Sequence, residues 1–338
     1  MKSLRIAGFG KSEIRFDMFD LAREAAEARR AEKLQHIYHR GQDLAWDGRD
    51  VLAELVAKHG GIKVPPDKAA ALTKIFAIIM WGELAAWKIS AQLADRLVPL
   101  EAKMAATSQA HDEARHFYVM HDYLAQLGPV PKTMDAASRA LLDLVLNTDN
   151  LLRKLMGMQL MVEALALTLF QAVREVNAEP VLSELLRYYE KDEARHVGLG
   201  IQHLPTMMKA ASAIEHAGAI GFQLRLVFWS MASLKALEPD LRVLGIEARQ
   251  IMRLGKAKQL HASEMLWSEM GIERPALNRQ IGAGIDAINE LVFPRRDGAG
   301  SEAGWLGRIK LAREVFKAGG LPVDATTLDM PAPAIAVA

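Results

Sequence analysis

The chain has 338 residues, 51% hydrophobic and 25% charged, long and apolar enough to bury a large core and to exclude intrinsic disorder over most of its length. Lys and Arg total 42 against 41 Asp and Glu, a formal net charge of +1 with no basic block, so no dedicated nucleic-acid surface is expected. Cysteine is absent, which rules out disulfides, thiolate nucleophiles, zinc ribbons and cysteine-held iron–sulfur or rubredoxin-type sites.

The opening MKSLRIAGFGKSEIRF contains no apolar stretch of signal-peptide length, and uninterrupted apolar runs such as IFAIIMW are short of a bilayer. The expectation is a soluble, cytoplasmic protein with no membrane partner. Ala, Leu, Met, Glu, Arg and Lys dominate and alternating β-branched tracts are scarce, which predicts an all-α fold. Two helices are expected near 17–37 and 48–59, before the breaks at Gly60-Gly61 and Pro65-Pro66. Longer ones follow at 68–96, 99–127, 148–178, 180–204, 208–236, 240–270 and 275–292, separated by Pro99, Gly128-Pro129-Val130-Pro131, Pro180, Pro205, Pro239 and Pro275. A last helix is expected near 302–317, and LPVDATTLDMPAPAIAVA reads as a tail. The organisation predicted is a helical extension over 1–67, a four-helix core over 68–205, further helices packing on it over 206–295, and a final helix and tail over 296–338.

The central feature is an internal repeat. Asp-Glu-Ala-Arg-His stands at 112–116 and again at 192–196, an offset of 80 residues. A glutamate precedes each motif glutamate by thirty residues, Glu83 before Glu113 and Glu163 before Glu193. Residues three apart share a helix face, so Glu113 projects with His116 and Glu193 with His196. Glu83 and Glu163 lie in apolar surroundings, where an isolated carboxylate costs several kcal/mol unless paired or metal-bound. Four carboxylates and two imidazoles converging inside a bundle would make two adjacent sites suited to two iron or manganese ions.

One glutamate from each of two helices and a Glu-x-x-His from each of two others is the pattern of the ferritin-like di-iron carboxylate superfamily, which the chain resembles over roughly 68–205. The resemblance implies Glu83, Glu113, His116, Glu163, Glu193 and His196 as ligands of two iron ions, with manganese–iron or two manganese ions as alternatives. The Asp-Glu-x-x-His form with Arg before the His is most similar to the oxygen-activating branch: soluble monooxygenases, acyl-carrier-protein desaturases and ribonucleotide-reductase-small-subunit-like oxidases. Ribonucleotide reductase itself is disfavoured, since Met120 stands where its radical tyrosine would be and Glu83 where its first ligand is commonly Asp. A rubrerythrin would need cysteine.

Asp112 with Arg115, and Asp192 with Arg195, allow two readings: surface salt bridges of little energetic value, or an outer shell in which each aspartate accepts from a metal-bound imidazole. Helix geometry turns an Asp directly before a ligand Glu about 100° away from it. In the resembling monooxygenases such aspartates serve the opposite motif's histidine, which pairs Asp112 with His196 and Asp192 with His116.

The resemblance implies an enzyme using O₂ to hydroxylate, N-oxygenate, desaturate or otherwise oxidise a small, largely apolar molecule, with a separate electron-donor reductase and a homodimer as an open possibility. The competing reading is ferritin-type iron oxidation and storage, with manganese catalase a third. Some 130 residues beyond the core favour the enzyme. A substrate pocket is expected along the two isolated-glutamate helices, bordered by Ile79 and Leu167, one turn from Glu83 and Glu163, with Gln171 as polar anchor. For any one of these three an ordinary core role is the equal alternative.

Overall fold

The structure, a computed structural model, describes residues 25–271, 273, 275–295 and 303–322. Twelve α-helices and one π-helical turn, with no strand among the described residues, make up the fold. In chain order they are α1 (Ala25–Asp43), α2 (Gly48–Lys58), α3 (Pro66–Arg96), α4 (Leu100–Leu127), α5 (Ala136–Asn147), α6 (Leu151–Gly157), the π turn (Met158–Val162), α7 (Glu163–Val176), α8 (Pro180–Ala210), α9 (Ala213–Val243), α10 (Ala248–Glu269), α11 (Pro275–Val292) and α12 (Trp305–Lys317).

The four-helix core is α3, α4, the run from α6 through the π turn to α7, and α8. Two apolar clusters fill it end to end, one around Phe76, Tyr123, Phe170 and Tyr189, the other around Ile89, Leu155, Met158 and Leu204. α1 and α2 lie against α4 and α8, α9 against α3 and α5, and α10 against α7 and α8, while α11 and α12 pair beside α10. α8 is the central element, with every residue from Asp192 to Pro205 buried.

Local chemistry sets the helix starts. Asp47, Asp135, Asn150 and Glu179 each accept hydrogen bonds from backbone N–H groups of the first turn they precede, and Ser212 with Glu215 forms a capping box. Lys154, 1% exposed, turns the α5–α6 corner by donating to the carbonyls of Val145 and Leu146 at the end of α5 and to Gln92.

Four sequence expectations need correction. α5 lies between 127 and 148, where no helix is expected; its short amphipathic pattern is hidden behind the Gly-Pro-Val-Pro break. Pro205 and Pro239, read as ends, lie inside α8 and α9. Each forfeits one backbone bond, a cost of about 3 kcal/mol, and continuous burial along α8 and the packing of Leu237 and Leu241 in α9 outweigh it. The span 148–178 is not one regular helix but is interrupted by the π turn directly before Glu163. Finally, α3, α9 and the stretch Leu151–Val176 are each long and apolar enough to cross a membrane by length and composition, a property that short uninterrupted runs concealed. In Leu151–Val176 the apolar residues serve the core, for 78% of the most apolar window is buried. Expected helical residues 17–24 and the tail beyond 322 fall outside the described residues.

Candidate metal centre

Glu83 reaches the bundle interior from the middle of α3, Glu113 and His116 from α4, Glu163 from the first residue of α7, and Glu193 and His196 from α8. All six are at most 5% exposed. They form two overlapping groups, Glu83–Glu113–His116–Glu193 and Glu113–Glu163–Glu193–His196, in each of which one donor atom per residue lies within 4.8 Å of the others.

The shared members face both ways. His116 Nδ1 is 3.5 Å from Glu113 Oε2 and 3.2 Å from Glu193 Oε1. His196 Nδ1 is 3.2 Å from Glu113 Oε1 and 3.1 Å from Glu193 Oε2. Glu113 and Glu193 thus offer one oxygen to each half. Glu83 attends only His116, at 3.7 Å, and Glu163 only His196, also at 3.7 Å.

The donor set fits a pair of cations. Glu113 Oε2, Glu193 Oε1 and His116 Nδ1 are sealed from solvent and have no hydrogen-bond partner, a costly state for buried polar atoms unless a cation completes them. Carboxylate and imidazole donors without sulfur suit iron and manganese. Without a cation, charge is balanced by protons. Burial, reinforced by the charges of Glu113 and Glu193, holds Glu83 and Glu163 well above the ordinary carboxylate range. Burial opposes charge on His116 and His196, but the surrounding carboxylates prevail and raise both imidazoles well above their usual value.

Behind the imidazoles lies a crossed lattice. His116 Nε2 donates to Asp192 at 3.1 Å and His196 Nε2 to Asp112 at 3.3 Å. Arg115 bridges Asp112 (2.6 Å) and Asp192 (2.8 Å), and Arg195 bridges the same pair at 2.9 and 2.6 Å. All four side chains are buried, which sets aside the surface-pair reading. Although burial opposes ionisation, His116 and Arg195 hold the Asp192 carboxyl down to about 2, and His111, His196 and Arg195 keep Asp112 far below the usual range. The aspartates are therefore fixed anions, and each pins one imidazole with Nδ1 turned to the glutamates.

Four further side chains, to which the sequence reading assigns no role, complete the surroundings. Trp46, in the turn between α1 and α2, donates from Nε1 to Asp192 at 2.9 Å, and the Arg115 guanidinium lies 4.7 Å from its ring centre. Gln109, 1% exposed, donates from Nε2 to Glu113 (3.0 Å) and Glu163 (2.6 Å), and receives a bond from Gln159 of the π turn at 2.7 Å. Among the described residues only the His196 half carries this amide support. On the other side Tyr189 stacks on His116 with ring centres 4.2 Å apart. Gln109 and Gln159 each stand four residues before a glutamate of the cluster, a legible signal; Trp46 has none.

Ile79 is packed in the Phe76 cluster, and Leu167 lies with Val197 and Ile201. Gln171 Nε2 donates to the exposed Glu175 at 3.1 Å, along α7 and away from the cluster. None of the three lines the cleft of about 540 Å³ formed by the start of α3, the α4–α5 connection and Ala236 and Leu237 of α9.

The fold and cluster together define a ferritin-like helical bundle with a paired carboxylate–histidine centre. No family model and no curated protein matches the sequence. Solved structures do. Protein 19 with aldehyde deformylating oxidase activity, from Synechococcus, is 18% identical and aligns with a TM-score of 0.51 over 59% of this chain and 91% of that one. An R2-like ligand-binding oxidase with an aerobically reconstituted metal cofactor after photoconversion is 15% identical, with a TM-score of 0.54 over 71% of this chain and 93% of that one. A mutant R2-like ligand-binding oxidase with an aerobically reconstituted Mn/Fe cofactor is 16% identical, with a TM-score of 0.52 and the same coverages. At these identities the likeness is one of fold.

Proposed function

We propose that the chain is a two-metal carboxylate oxidase that uses O₂ to oxidise a small, largely apolar organic molecule in the cytoplasm, with electrons delivered by a separate donor protein. The observation that carries this reading is the doubled site, in which Glu113 and Glu193 each turn one oxygen to His116 and the other to His196. Two iron ions, or one manganese and one iron, would be held by Glu83, Glu113, His116, Glu163, Glu193 and His196 and would supply the electrons that reduce O₂.

The protein's own groups contribute position and exclusion of water. Asp112 and Asp192 hold the two imidazoles in one tautomer, Nε2–H outward and the Nδ1 lone pair inward. Gln109 orients Glu163 and Glu113 by two amide hydrogen bonds. Apolar clusters above and below keep bulk water from the centre, which protects reactive oxygen chemistry from side reactions. That these structural neighbours are oxidases supports the same reading.

The test is metal loading followed by single-turnover O₂ uptake. Two metals bound per chain, O₂ consumed in stoichiometric amount and no mineral formed at high Fe²⁺ excess are the expected results. Accumulation of hundreds of irons per assembly would overturn the oxidase reading in favour of storage, and fewer than one metal per chain would overturn both.

A further inference from the structure

α12 stands at the edge of the fold, packed on α11, and Ala312 and Val315 are its buried residues. Its outward side is apolar as well. Leu306 is 82% exposed, Trp305 63%, Phe316 53% and Ile309 41%. At about 100° per residue, Trp305, Phe316 and Ile309 fall within about 40° of one another and make one stripe along the helix. Exposed apolar side chains gathered in this way mark a contact surface.

The charges beside the stripe indicate what it meets. Arg313, Lys317 and Lys310, all exposed, follow Ile309 around the helix at about 40°, 80° and 100°, with Leu306 projecting between the first two. Glu314, the one acid of α12, stands farther round, about 140° from Ile309. Arg308, Lys310, Arg313 and Lys317 against Glu314 give this helix a net charge of +3, four minus one, where the entire chain carries +1. Among the described residues no ion pair engages Lys310, Arg313 or Lys317, so their charge is not spent within the fold.

An apolar stripe beside a Lys/Arg flank is what a helix lying in the plane of an anionic bilayer presents. Aromatic and aliphatic side chains enter the boundary between headgroups and acyl chains, and the ammonium and guanidinium groups stay at the level of the lipid phosphates. We propose that α12 is a surface anchor by which the protein docks reversibly on anionic membranes, with Trp305, Leu306, Ile309 and Phe316 entering the interface and Lys310, Arg313 and Lys317 meeting lipid phosphates. Docking of this kind needs no membrane-crossing run, the feature whose shortness in the sequence predicts no membrane partner. Other occupants fit the face less well. A second copy would bring together two helices of charge +3, and a nucleic acid would set phosphate against Leu306 and Ile309 with no apolar surface for them to enter.

The test is co-sedimentation of the full-length protein with vesicles of equal parts phosphatidylcholine and phosphatidylglycerol. Binding should be strong at low salt, fall as added NaCl shortens the screening length towards about 3 Å, and be far weaker on phosphatidylcholine alone. A basic residue at an anionic surface contributes roughly fivefold, so Lys310→Gln, Arg313→Gln and Lys317→Gln together should lower the partition coefficient about 100-fold. The same charge change on exposed residues elsewhere, Lys63→Gln, Lys132→Gln and Arg139→Gln, should lower it by less than about fivefold. Leu306→Glu should lower it at least about 10-fold, and helical content should be unchanged in every variant. Lipid carrying a doxyl quencher near the headgroup should quench tryptophan fluorescence in the wild type and much less in Trp305→Phe. A wild type that binds no vesicles, equal loss from the two charge triples, or quenching unchanged in Trp305→Phe would overturn the proposal. So would a wild-type dimer dispersed by Leu306→Glu, or retention on duplex DNA in place of the vesicles.

Discussion

Asp192→Asn changes one atom type at the heart of the crossed lattice. Asp192 accepts from His116 Nε2 at 3.1 Å, Trp46 Nε1 at 2.9 Å, Arg115 Nη2 at 2.8 Å and Arg195 Nη2 at 2.6 Å. An amide of the same size keeps one acceptor, but its NH₂ meets a donor and two buried guanidinium groups are left with Asp112 as their only carboxylate. Removing one partner of a buried ionic network costs about 3–5 kcal/mol, so the metal-free protein should lose that much stability. Release of the His116 ring should cost about 10–100-fold in metal affinity, or about 1.4–2.7 kcal/mol. The loss should be local. It falls on the Glu83–His116 half, although Asp192 belongs by sequence to the motif of His196. Crystals equilibrated with graded Mn²⁺ and measured at the manganese edge report each position separately. Asp112→Asn should give the mirror result at the Glu163–His196 half. Equal loss at both positions, or loss confined to the motif's own histidine, would refute the crossed assignment.

Three other substitutions test the scaffold around the centre. A Cβ at Gly200 would lie 2.5 Å from Gln159 Cβ, so Gly200→Ala should push on the π turn, cost about 1–3 kcal/mol and lower metal occupancy at the Glu163 half more than at the Glu83 half, read by the same anomalous measurement. Glu179→Ala removes the acceptor for Val181 N, Leu182 N and the Tyr123 hydroxyl; a loss of about 2–3 kcal/mol in urea unfolding is expected, with Glu179→Gln losing less than half as much. Burial, against the pull of Glu190 and Glu175, lowers Lys258 from 10.5 to about 8. Between those values the unfolded chain binds more protons than the folded one, so stability should rise with pH across that window, by at most about 3 kcal/mol. In Lys258→Met the rise should vanish, and an unchanged slope in urea titrations between pH 8 and 10.5 would remove Lys258 as its source.

Much of the centre is legible in the chain because it is periodic. The doubled Asp-Glu-Ala-Arg-His and the two glutamates thirty residues upstream mark four helices, and the three-residue spacing puts Glu113 beside His116 in any α-helix. Gln109 and Gln159 are legible by the same logic, each a polar residue one turn before a cluster glutamate, Gln159 within an apolar run. Trp46 could not be read at all: it meets Asp192 across 146 residues from an irregular turn with no period. Pro205 and Pro239 mislead for a related reason, since local propensity yields to continuous burial along α8 and to the packing of Leu237 and Leu241 in α9.

The crossed lattice also governs how the molecule can open. Asp112 and Asp192 lie on different helices, α4 and α8, and each holds the imidazole of the other. A fluctuation that lifted α4 away would strip His196 of its acceptor as well as exposing Arg115, and lifting α8 would do the same to His116. Partial opening therefore costs nearly as much as opening both. The backbone amides around 112–116 and 192–196 should exchange with solvent deuterium at a common, slow rate set by global unfolding, while α12, exposed along most of its surface at the edge of the fold, exchanges far sooner.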